Sequence, residues 1–170
     1  MLVVMIAAMA ANPGTCKVED AVYQQRSATS ISARFVPVDP SADWPSGLAM
    51  KMHFGDSGRS YWWLPWNGGS NGRQHLASTT DVTAPGWKAP SPENGSQRPL
   101  GDVGYIGMDA SYNVIKAVPR RGEIAPAHFH VPDLREALWY RTPPDRRDAD
   151  TGQFFDLVDC TSGKANAPLR

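Results

Sequence analysis

This sequence predicts a mainly β fold, an antiparallel β-sandwich or irregular barrel with long Pro- and Gly-rich loops and one short helix. Three observations carry that prediction. Several segments alternate apolar and polar residues with a period of two, which sorts side chains onto the two faces of a strand. Glycine and proline number 15 each in 170 residues, too many for long helices. Apolar residues at helical spacing occur in one place only.

The strands follow in order. In "ISARFVPV" Ile31, Ala33 and Phe35 share one face, and Ser32 and Arg34 the other. In "LAMKMHF" Leu48, Met50, Met52 and Phe54 line one face, opposite Ala49, Lys51 and His53. "SYWWLPW" is an aromatic strand that runs into Asn67-Gly68-Gly69, a strong turn signal. "VGYIGM" and "NVIKAV" flank "DASY", a connection of hairpin length. "PDLREALWY" starts at Pro132, which suits a helix start, and sets Leu134, Ala137 and Leu138 on one stripe. "QFFDLVDC" is the closing strand and ends at Cys160. Two Pro-rich connections, 84 to 102 and 141 to 152, are the long loops.

Length and composition suit a single globular domain with a sizeable core. Lys plus Arg and Asp plus Glu number 17 each, and the balance holds in each half of the chain. Such a chain has no electrostatic footprint for nucleic acid or an anionic membrane. Residues 1–10 of "MLVVMIAAMAA" are uncharged and end in Ala8-Met9-Ala10, the small-x-small pattern of an export signal. They form a candidate signal peptide ahead of a single β-rich domain, 11–170. The basic stretch that usually precedes such a core is absent, as in a signal that begins further upstream. The run is too short to cross a bilayer, so an integral membrane protein is not expected. A periplasmic or secreted location follows, and there the even cysteine count favours a Cys16–Cys160 disulfide. In the cytosol the two would be buried thiols.

Four local patterns suggest chemistry. His128 and His130 are two apart, so on a strand both imidazoles point the same way, as two ligands of one metal would. With Gly122 upstream they resemble the opening of the first motif of the cupins, metal-binding β-barrels. The resemblance spans nine residues. Glu136 then lies six after His130, where that family sets its Glu four or five on, and no His follows residue 130. His53 or His75, with Asp56, Asp133 or Glu136, would have to complete a metal site.

Gly55-Asp56-Ser57-Gly58 resembles the nucleophile region of trypsin-like proteases and the first block of the GDS-type esterases. Both families imply a base for the serine. For the first, His53 is the only upstream His and no room remains for a first barrel; the Asp-x-x-His of the second does not occur, so a turn is expected here. The third pattern is Tyr61, Trp62, Trp63 and Trp66 beside a Gly-rich loop, a common way to stack on sugar rings. Trp62 and Trp66 share one face of a strand, Tyr61 and Trp63 the other, and one face must be core. Asn94-Gly95-Ser96 fits a glycosylation acceptor.

The reading these features support is an exported accessory or binding protein of the cell envelope without catalytic activity. Its expected contact surface is 61–66 with the adjoining loop 67–72, its expected partner a small glycan or an envelope protein. No cofactor is expected unless His128 and His130 bind metal. The alternatives are a metal-dependent enzyme or metal-binding protein using those two residues, and an inhibitor or structural protein that binds another protein through the Pro-rich loop.

Overall fold

The computed structural model describes residues 14–68, 73–93 and 97–161. The candidate signal peptide and the glycosylation sequence lie outside them, as do residues 69–72 of the loop after the aromatic strand. The fold is mainly β: one antiparallel sheet of ten strands curls into a half-barrel. The strands are β1 (Ala21–Gln25), β2 (Ala28–Pro37), β3 (Leu48–Phe54), β4 (Arg59–Gly68), β5 (Arg73–Thr79), β6 (Asp102–Gly104), β7 (Ile106–Met108), β8 (Val114–Ile115), β9 (His128–His130) and β10 (Phe155–Cys160). The one α-helix, α1, is Leu134–Tyr140. The order across the sheet is β6-β5-β4-β3-β2-β1-β10-β9-β7-β8.

Alternation in the sequence becomes two faces. Ile31, Ala33, Phe35, Leu48, Met50, Met52 and Phe54 all point inward into one core with Tyr23, Trp63, Phe129 and Phe155. There Tyr23 and Phe35 meet Phe129 edge-on, while Phe155 stacks on it at 4.7 Å. Leu134, Ala137 and Leu138 of α1 enter the same core, which leaves Arg135, Glu136, Trp139 and Tyr140 on the helix's outer side. A second cluster covers the outer face of β3, β4 and β5. Ala49, Trp62, Leu64 and Ala77 meet Trp44, and Trp87 packs against them. Trp44 donates to the Pro90 carbonyl (2.8 Å) and Trp87 to Thr79 Oγ1 (3.1 Å), so the long connection after β5 is tied onto the sheet. Pro65 is tolerated inside β4 because β3 pairs only with the stretch 59 to 63; beyond it the strand has a neighbour on one side alone.

The half-barrel has a seam. β6 is one edge of the sheet and β7 lies next to the other, yet Tyr105 alone separates them in the chain. The Tyr105 N–H donates to the Gln74 carbonyl on β5 (3.0 Å), and Gln74 Nε2 donates to the Ile115 carbonyl on β8 (2.5 Å). Cys16 and Cys160 form a disulfide that ties the segment before β1 to the end of β10. Among the described residues no helix is long and apolar enough to cross a membrane.

Candidate functional site

The aromatic strand is where the structure departs most from the sequence expectation. Trp63 is 0% exposed in the inner core and Trp62 is 5% exposed under Trp44 and Trp87. Neither ring is available for stacking, because loops distant in sequence cover the face that one strand alone leaves open. Trp66 is half-buried and packs edge-on to Trp44 at 6.3 Å. Tyr61 is half-buried and donates to Asp148 Oδ2 (2.5 Å), where burial and the neighbouring carboxylate push its pKa up to about 12. Arg59 grips the same carboxylate with two bonds of 2.8 and 2.9 Å. Burial alone would raise the Asp148 carboxyl, but the bonds from Arg59 and Tyr61 outweigh it and hold it below the usual range. Tyr61 and Trp62 also line a cleft of about 540 Å³ with the hydroxyl-bearing Ser60, Thr79 and Thr80.

His128 and His130 do project from β9 on the side opposite the buried Phe129, as the spacing implies. Each then has its own surroundings. His128 Nδ1 is hydrogen-bonded to Asp156 Oδ1 (2.7 Å), and Arg26 clamps that carboxylate with bonds of 2.7 and 2.9 Å. Burial would raise the Asp156 carboxyl, yet Arg26 and His128 together hold it below the usual range. The Tyr112 ring stacks on His128 at 4.3 Å, and its hydroxyl accepts from Arg26 (2.7 Å). Tyr112 sits at φ 63°, a left-handed conformation unfavourable for a residue with a Cβ, at the turn between β7 and β8. His130 is hydrogen-bonded to the Gly152 carbonyl (3.2 Å) and leans on Phe154.

The residues expected to complete a metal site are elsewhere. His53 is hydrogen-bonded to Ser60 (3.1 Å), and His75 stacks at a tilt on Trp66 (5.5 Å). Asp133 accepts from the Gly104 N–H (3.0 Å). Among the described residues no group of three His, Cys, Asp or Glu is placed to hold an ion. Among the described residues no hydroxyl or thiol is hydrogen-bonded to His128. Ser57 is likewise a turn residue: its Oγ accepts from the Arg59 N–H (3.3 Å) and donates to the Phe54 carbonyl (3.4 Å), with Gly58 at φ 70°.

A further concavity is one the sequence did not signal. A cleft of about 810 Å³ opens along the seam, between β5, the Tyr105 crossing, β8 and the turn from β9 into α1. Its lining is mostly apolar through Tyr105, Ile106, Val114 and Pro132. Arg73 and Lys116 stand beside it, both exposed and without an ion-pair partner among the described residues, while the one carboxylate, Asp133, is engaged by Gly104. A seam produces such a cleft for a plain reason: where the ladder is interrupted, side chains and not backbone bonds must fill the gap. No alternation pattern reports this, because Arg73, Ile106 and Lys116 belong to three elements that meet only when the sheet curls. Compared with known proteins, the chain matches no family model, no curated protein and no solved structure.

Proposed function

We propose that this is an exported, non-catalytic binding protein of the cell envelope, with its ligand site in the seam cleft. The observation that carries the reading is the cleft itself: apolar walls, Arg73 and Lys116 without an ion-pair partner among the described residues, and the volume of a small-ligand site. The disulfide supports an oxidising compartment.

The test is amide chemical-shift mapping on the isotope-labelled protein with a panel of small polar and charged fragments. Shifts concentrated at Gly104, Ile106, Val114 and Asp133 support the reading. Shifts confined to the cleft beside Tyr61, or none from any fragment, refute it. Export is tested separately by fusing residues 1–40 to a reporter that is active only outside the cytoplasm. An inactive fusion removes the compartment from the proposal and leaves the cleft.

A further inference from the structure

The outer stripe of α1 carries the most exposed aromatic rings described in the protein. Trp139 is 48% and Tyr140 77% exposed, whereas Trp44, Trp62 and Trp63 are all buried. Together with Arg135, Glu136 and Pro132 they form a groove of about 540 Å³. These positions recur every three to four residues, so they share one side of the helix. The Arg147 guanidinium lies 4.8 Å from the Trp139 ring and steadies one face of it, which leaves the other to a ligand. Pro132 lines this groove and the seam cleft alike, so the two concavities adjoin. One is aromatic, flanked by a donor and an acceptor side chain; the other is apolar with Arg73 and Lys116 at its rim.

We infer that the ligand is an acidic oligosaccharide: a carboxylate-bearing unit enters the seam cleft against Arg73 and Lys116, and a neighbouring ring stacks on Trp139 or Tyr140 across Pro132. This rests on the seam cleft being the ligand site. The apolar C–H face of a sugar suits an aromatic ring, and its hydroxyls suit a donor such as Arg135 and an acceptor such as Glu136. Arg73 and Lys116 outnumber the single carboxylate of the cleft, Asp133, and this net positive lining favours an anion there. An extended peptide fits less well. β6 and β8, the sheet edges it would extend, are three and two residues long.

The experiment is calorimetric titration of the full chain with trigalacturonate and with its carboxyl-reduced, neutral counterpart. Wild type is compared with the Arg73→Gln/Lys116→Gln double variant and with Trp139→Ala, all at exposed positions and each checked for an unchanged melting temperature. Expected is binding of the acidic trimer, at least about ten-fold weaker binding of the neutral one, a similar loss in the double variant, and loss of both ligands in Trp139→Ala. Equal affinity for the two trimers, both abolished in Trp139→Ala, overturns the acidic assignment and leaves the protein a binder. Silence with both trimers, while other fragments still shift the Gly104 and Val114 amides, overturns the saccharide and spares the cleft. Silence in both experiments overturns both.

Discussion

Removing the disulfide, by Cys16→Ala with Cys160→Ala, tests the fold at its longest-range link. The bond spans a sequence separation of 144, with the two Cα atoms 5.8 Å apart. In the chain-entropy description a loop of that length restricts the unfolded state by about 5 kcal/mol at 25 °C. The observed loss should be smaller, about 2–5 kcal/mol, because the reduced unfolded chain retains some compactness and its native ends still pair. Ala21 and Cys160 are neighbours across β1 and β10, and the Ala125 N–H donates to the Cys16 carbonyl. A domain holds only about 5–15 kcal/mol in total, so the variant should be marginal. Urea unfolding with linear extrapolation is the assay. The midpoint should fall, and the slope should rise because the uncrosslinked chain exposes more surface. An unchanged midpoint would refute the argument. So would alkylation that labels two thiols on the unreduced, denatured protein, since the bond would then not exist.

Three further outcomes are expected. Trp63→Ala should cost about 3–5 kcal/mol in the same urea assay, as for any large aromatic deleted from a packed core, and a near-zero cost would put the ring at the surface after all. Asp148 has a folded carboxyl pKa below its unfolded value, so its stabilisation is fully present above the unfolded value of about 3.9 and is lost as pH falls through the folded one. Asp148→Asn should therefore lower stability by about 2 kcal/mol at neutral pH and flatten the acid limb of the midpoint-versus-pH curve; a parallel curve would count against the Arg59 and Tyr61 contacts. Protein purified without an affinity tag should carry well under one metal ion per chain by mass spectrometry. A stoichiometric ion that disappears in His128→Ala would reverse the reading of the two histidines.

What the sequence made legible was local periodicity. β3 is readable to the residue, α1 from Pro132 and its buried stripe, and the turn between β7 and β8 from "DASY" between two apolar runs. β1 and β5 escape because their inward positions include polar side chains that hydrogen-bond to distant segments. Gln25 takes Asp150 and Thr151, Gln74 reaches the Ile115 carbonyl, and Ser78 Oγ accepts from the Leu100 N–H. An inward Gln erases the alternation that marks a strand. "VGYIGM" reads as one strand and is two, since nothing near Tyr105 announces that the sheet's edges meet there. The exposure of the aromatic strand depends on Trp44 and Trp87, about 20 residues away on either side, which its own pattern does not report. Trp139 and Tyr140 were within reach: a helix that buries Leu134, Ala137 and Leu138 must turn Arg135, Glu136 and Trp139 outward.

The position of β10 governs the order in which the chain can assemble. This strand follows every other described strand in sequence, yet it lies between β1 and β9 inside the sheet. Until it has been synthesised, β1 and β9 each lack a neighbour and the N-terminal strand has no partner on that side. Closure joins residues more than a hundred positions apart, the kind of contact that makes folding slow. A nascent chain is thus kept from completing its sheet until β10 has emerged. Oxidation of Cys16 with Cys160 then fastens this closing strand to the segment that precedes β1.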